Sequence, residues 1–216
     1  MRPVRLDHVA LWVPDADAAA AWTVEALGFH VIERTERFAL VGTDARAGKL
    51  TFFNADGPRE PGPLRHVAVR LPGRRSAEEL EAPGGLRLHL LPGPAAAPAE
   101  LDHVSLLSPD PEAARARWLA LGLEDAPEAE GGVRRVRVGE SVVELHPGQP
   151  SRTERPLLNH LGALVGTVEE VEAAPTTAGL GEVELVDAPN TLAAFVVGPD
   201  GVRLEYVAHK PSFSLV

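Results

Sequence analysis

The chain contains a copy of itself. Residues 6–15 read LDHVALWVPD and residues 101–110 read LDHVSLLSPD, with seven of ten positions identical. ADAAAAWTVEALGF follows the first and PEAARARWLALGLE the second, both Ala-rich, both with a Trp and a Leu-Gly. A repeat constrains a fold strongly, because each copy is one supersecondary unit that must bury its apolar face against another. Each unit reads as an apolar strand broken by Pro-Asp and followed by a helix. Asp15 or Asp17, and Asp110 or Glu112, are placed to cap those helices, and Gly28 and Gly122 to stop them.

Weaker copies of the strand start stand at 64–72 (LRHVAVRLP) and 159–166 (NHLGALVG), so four strand-start histidines emerge: His8, His66, His103 and His160. Each unit closes on another strand: KLTFFN at 49–54, LRLHLLPG at 86–93, SVVELHPG at 141–148 and GVRLEYVAH at 201–209. Units one, three and four therefore read β-α-β-β-β. The second is truncated and is expected to keep a strand, a short helix (SAEELEA) and a strand. The Pro/Gly-rich link at 92–100 is the best domain boundary. It predicts an α+β protein of two unequal double-module domains, 1–94 and 99–216.

Composition narrows the chemistry. Eight histidines stand against no cysteines, so a metal must sit on His and carboxylate rather than thiolate. A net charge of -10 argues against nucleic acid and anionic membrane partners. No stretch approaches the ~18 apolar residues of a membrane span, and no apolar signal segment opens the chain. The expectation is a cytoplasmic protein, monomer or homodimer, acting on a small molecule. No GxGxxG, phosphate loop or Gly-x-Ser-x-Gly elbow competes.

Residues two apart on a strand share a face. His103, Ser105 and Leu107 do so, as do Val142, Glu144 and His146, and Arg203, Glu205 and Val207. Aligning the closing strands on Glu205 gives Phe52, His89, Glu144 and Glu205. A glutamate in an apolar strand is costly to bury alone, and a metal or an Arg relieves it.

Strand, Pro-Asp, Ala-rich helix, Leu-Gly-Phe, three strands and a final Gly-Pro-Asp-Gly-x-x-x-Glu-Tyr resemble the vicinal oxygen chelate superfamily, most specifically over residues 6–29 and 198–207. That group includes glyoxalase I, methylmalonyl-CoA epimerase, fosfomycin and bleomycin resistance proteins, and extradiol dioxygenases. The resemblance implies that paired modules form curved mixed sheets around metal clefts, and that four modules make two such sheets. It places His103, His160 and Glu205 as ligands of a divalent metal, Fe(II) foremost, with Zn, Ni, Mn or Co as alternatives. In glyoxalase-like members Glu144 would be a ligand too. The four-module layout points to an extradiol-type dioxygenase opening a catechol-like ring. A glyoxalase- or epimerase-like isomerase or lyase and a drug-binding protein without chemistry are the alternatives.

Glu144 and His146 are the candidate proton-moving residues. His209 reads as an exposed strand end, with a proton-moving place at the cleft mouth as the alternative, Trp22 and Trp118 read as core, and Trp12 as a wall of the first cleft. Tyr206, next to Glu205, points away from it. Arg134, Arg135 and Arg137 read as a solvated face or as anchors for an anionic substrate. His8, His66 and His89 are the weaker metal set of a first half that reads as a relic. Exchange of partners between modules is the alternative pairing, and it would bring His8 to His160 and Glu205; those two belong to a site under either pairing.

Overall fold

In the computed structural model, which describes residues 1–46 and 48–216, the repeat is visible as four modules. The first comprises β1 (Arg5–Val13), α1 (Ala16–Leu27), β2 (His30–Arg34), β3 (Phe38–Gly42) and β4 (Lys49–Asn54). The second is β5 (Leu64–Pro72), β6 (Glu78–Ala82) and β7 (Leu86–Gly93). The third is β8 (Glu100–Ser108), α2 (Pro111–Ala120), β9 (Glu124–Ala129), β10 (Val133–Val138) and β11 (Ser141–Pro147). The fourth is β12 (Leu158–Leu164), α3 (Val168–Glu172), β13 (Glu184–Asp187), β14 (Thr191–Val197) and β15 (Arg203–His209).

The helix signals act as expected. The Asp15 carboxylate accepts from Ala18 N at 2.9 Å and that of Asp110 from Ala113 N at 3.0 Å, which satisfies amides that a helix leaves free. Gly28 ends α1 in the left-handed conformation, φ 71°. The second module departs from expectation: the segment read as a short helix is the strand β6, paired antiparallel with β7 around Gly84 and Gly85. Both glycines have positive φ, 85° and 82°, which closes a hairpin where a helix would need a longer turn.

Two mixed sheets result, in the order β13-β14-β15-β12-β1-β4-β3-β2 and β6-β7-β5-β8-β11-β10-β9. The first module thus shares a sheet with the fourth, and the second with the third. This corrects the division at 92–100, since that link joins β7 to β8 within one sheet. The crossings lie elsewhere, in the links at 57–63 and 149–157, which run side by side. Glu60 N donates to Arg155 O at 3.1 Å and Leu157 N to Glu60 O at 2.7 Å. At the centre of each sheet two strand starts meet antiparallel, β1 on β12 and β5 on β8.

One face of each sheet is core: Val9, Leu11, Leu50, Phe52, Leu161, Leu204 and Tyr206 of the larger sheet are all buried. α1 packs on β3 and β4, α2 on β10 and β11, α3 on β14 and β15. Trp118 of α2 is buried, and Trp22 of α1 packs against the core, as expected. Among the described residues, no helix is long and apolar enough to cross a membrane.

Tyr206 turns away from Glu205 and donates to Leu121 O at 2.6 Å, tying the fourth module to the third. Replacing Tyr206 by Phe leaves that carbonyl buried without its donor. The expected loss is about 1–3 kcal/mol, read as a lower urea midpoint with an unchanged slope.

Candidate metal centre

Four β-bulges set the clefts. Across β1 and β12, Leu6 pairs with Ala163 but His8 with Gly162, so Asp7 is the extra residue; Asn159 is extra in the same way. Across β5 and β8 the extra residues are Arg65 and Asp102. Each strand-start histidine therefore follows a bulged residue, and a bulge re-aims side chains that a regular strand would send to opposite faces.

In the larger sheet His8, His160 and Glu205 converge. His8 Nε2 lies 2.9 Å from His160 Nε2, and Glu205 Oε2 lies 2.9 Å from both ring nitrogens. His8 Nδ1 donates to Asp7 at 2.8 Å and His160 Nδ1 to Asn159 Oδ1 at 3.0 Å. Each bulged residue thus holds the proton on Nδ1 and turns the Nε2 lone pair inward. Glu205 Oε2 is buried, and no well-directed hydrogen bond reaches it. With both rings neutral, three lone pairs face one another and repel, and either a proton on His8 Nε2 or a metal ion among them relieves this. Donors about 2.1 Å from an octahedral ion lie about 3.0 Å apart when cis, so the triangle fits one face of such an ion.

Behind His8, Asp7 is buried and bound by Lys49 Nζ at 3.0 Å, which also donates to Ala45 O. His209 Nε2 stands 3.5 Å from Asp7, and its ring stacks on Phe213 at 4.2 Å. It is not the exposed strand end expected. Burial alone would raise the Asp7 carboxyl, but the neighbouring His209, the hydrogen bond with His8 and the Lys49 charge hold it well below the usual range. Burial likewise opposes ionisation of Glu205, and His8 and His160 outweigh it. Burial opposes charge on His8 as well, yet the Glu205 and Asp7 carboxylates raise it to about 9. His160 is lowered, by burial first.

The expected donors divide between the clefts. His160 and Glu205 meet His8, as partner exchange requires, whereas His103 and Glu144 lie in the smaller sheet with His66 and His89. Glu144 is held by Arg135, with Nε to Oε1 at 2.9 Å, and by His146 at 3.2 Å. It reaches no donor of the first cleft, so Glu144 and His146 do not form one site with His160 and Glu205. His103 Nδ1 donates to Asp102 Oδ1 at 2.7 Å, and Arg70 pairs with Asp102. His66 is pushed down to about 3 by burial and by the neighbouring His89 and His103. Arg134 pairs with Glu112 and Glu128, and Arg137 with Glu124.

The fourth corner of the first cleft is also corrected. β1 and β4 pair Ala10 with Thr51 and Leu11 with Phe52, while β12 and β15 pair Gly162 with Glu205. Thr51, not Phe52, therefore matches Glu205, and Phe52 lies in the core. Trp12 does line the cleft, 5.6 Å from Phe53, which also neighbours Phe38 (5.4 Å) and His160 (6.1 Å). Phe195 stands edge-on to His160 at 5.1 Å, with Arg203 over its ring. Sequence reasoning gave Asp7, Asp102 and Asn159 no role, although an identical Asp before the His in both strong copies was the available signal.

Two outcomes follow. Metal must displace the His8 proton at any pH below about 9. Affinity should therefore rise about tenfold per pH unit and level off above that value, with one proton released per ion in calorimetry across buffers. Gly162 is the second test. A Cβ there would stand 2.2 Å from His8 Cε1, so Gly162→Ala displaces the ring. Chelator competition should show metal affinity falling by at least ~10–100-fold.

No curated protein matches the chain by sequence. Solved structures share its fold. A candidate dioxygenase of Bacillus subtilis superposes with TM-score 0.79 at 15% identity, covering 98% of this chain and 87% of that one. Glyoxalase I of Zea mays gives 0.67 at 18%, covering 94% and 92%. The cppA protein of Streptococcus pneumoniae gives 0.63 at 12%, covering 96% and 98%. A family model spans residues 5–116, through both strong copies of the repeat, and the chain belongs to the Glyoxalase/Bleomycin resistance protein/Dioxygenase superfamily.

Proposed function

We propose that the chain is a metal-dependent enzyme of the extradiol-dioxygenase type, with a divalent ion, Fe(II) foremost, held by His8, His160 and Glu205. The observation that carries this reading is the donor count. Two histidines and one carboxylate on one face, with Thr51 at the fourth corner, are the donor set of non-haem Fe(II) oxygenases. Held in this way, a ferrous ion supplies a redox-active Lewis acid with coordination positions free for a chelating diol and dioxygen.

The protein's own groups prepare the cleft. Asp7 and Asn159 fix the two rings, so each Nε2 is aimed before anything binds. Glu205 contributes the one negative donor, held ionised by His8 and His160 in spite of its burial. Thr51 brings no carboxylate, which leaves the fourth corner open. Trp12, Phe38, Phe53 and Phe195 are half-buried on the cleft face, four of the chain's ten Phe, Trp and Tyr residues. Their faces and edges suit a flat ring. Arg203 lies over the Phe195 ring and is paired with Glu184, so it backs this aromatic wall. The partner in this reading is a small molecule rather than nucleic acid or a membrane, and the enzyme is a cytoplasmic monomer or homodimer.

A glyoxalase-like site with four protein donors has less support, because Glu144 lies in the other cleft. A purely binding role has no feature of its own in its favour.

The test is anaerobic loading with Fe(II), then oxygen uptake across a panel of catechols. Uptake with ring-opened, coloured product is expected, falling to background in His160→Ala and Glu205→Gln. Correctly loaded protein that consumes no oxygen with any catechol overturns the assignment. Both variants holding as much Fe(II) per chain as the wild type overturns the site.

A further inference from the structure

We propose that the cleft between the second and third modules is a second metal site, built on the three nitrogens of His66, His89 and His103 and selective for a zinc-type ion. It is independent of the first centre in chemistry and does not rest on the dioxygenase reading.

The three side chains offer donor atoms that all lie within 4.8 Å of one another. His66 Nε2 and His103 Nε2 are 3.0 Å apart, close to the separation in the first cleft. The support behind His103 repeats that behind His8. A bulged aspartate, Asp102, accepts from Nδ1 at 2.7 Å and is itself bound by a cation, here Arg70 in place of Lys49. A carboxylate behind an imidazole fixes the tautomer and turns the free lone pair towards a metal. His89 stacks on His66 with ring centroids 3.5 Å apart. Its side chain is 29% exposed and its Nε2 meets the exposed Glu79 at 3.3 Å, a surface contact that a rotation of the ring towards His66 and His103 would give up at little cost.

Ser105 provides an independent sign. It faces the same cleft, in register with His66 on one side and Glu144 on the other. It is fully buried, and its hydroxyl has no hydrogen-bond partner. A buried orphan hydroxyl carries a desolvation cost, which a water or hydroxide on an ion beside His66 would remove.

The donor set differs from that of the first centre in charge. At the position matching Glu205 the second module has His89. The third has Glu144, but Arg135 neutralises it and its Oε2 stands 3.9 Å from His103 Nε2. Three neutral imidazoles with an open position make a zinc-type site, and an ion so held keeps its full double charge and acidifies a bound water.

Metal-free full-length protein, titrated with Zn(II) and separately with Co(II), tests this by elemental analysis and by the Co(II) absorption spectrum. The wild type should hold two ions per chain with two distinct Co(II) spectra. His103→Ala should lose one and His160→Ala the other, each variant keeping the spectrum that its partner lacks. His89→Ala, at the half-exposed donor, should weaken only the second ion by at least ~10-fold; it serves if His103→Ala does not fold. Ions absent from His103→Ala but retained in His160→Ala support this site even if the first centre fails. A single ion per chain that survives both His103→Ala and His89→Ala overturns it, as does a second ion bound only at millimolar zinc.

Discussion

A regular strand cannot present two consecutive side chains to one cleft, and this protein needs two at every strand start. The bulges at Asp7, Arg65, Asp102 and Asn159 meet that need. At three of them the bulged residue turns a side-chain oxygen onto Nδ1 of the next histidine, so ligand and orienting group arise from adjacent codons. The central antiparallel pairings, the close approach of His8 to Gly162 and the inward lone pairs all depend on this break in the ladder. Arg65 is the exception: it supplies no acceptor, and burial with the neighbouring His89 and His103 suppresses charge on His66.

Much of the fold was legible because it repeats. Two strong copies exposed two weak ones, and Pro-Asp with an Ala-rich run announced α1 and α2 together with their caps. Partner choice was not legible, for a physical reason. Pairing first with second or first with fourth would bury the same alternating faces, and pattern alone cannot distinguish them. What separates them is the path of two links, 57–63 and 149–157, which cross between the sheets hydrogen-bonded to each other. That contact lies about a hundred residues apart in sequence. The truncated module misled for a local reason, since SAEELEA favours a helix until the Gly84-Gly85 hairpin and pairing with β7 override it.

The site was half legible on the same logic. His160 and Glu205 were secure under either pairing. His103 and Glu144 were assigned beside them because the Pro/Gly-rich link at 92–100 reads as a domain boundary, with both residues on the same side of it as His160 and Glu205. Phe52 was misplaced by a single step of register. KLTFFN has no clean alternation, so nothing in it says whether Thr51 or Phe52 faces the cleft, and one step exchanges the two faces completely. Parallel pairing with β1 decides for Thr51.

That single step also decides the chemistry. Thr51, His89, Glu144 and Glu205 occupy one equivalent corner in four modules, and each outcome follows from what stands beside it. Glu205 is left as the one carboxylate among two aimed nitrogens, since Arg203 engages Glu184 and the Phe195 face instead. Glu144 has a cross-strand Arg135 and a neighbouring His146, so its charge is already answered. Aromatic rings crowd the first cleft, while arginines flank the second. One scaffold, duplicated twice, thus holds two histidines and a glutamate walled by aromatic rings in one sheet and three more exposed histidines flanked by arginine–carboxylate pairs in the other. The difference lies in a few side chains at equivalent ladder positions rather than in any change of fold.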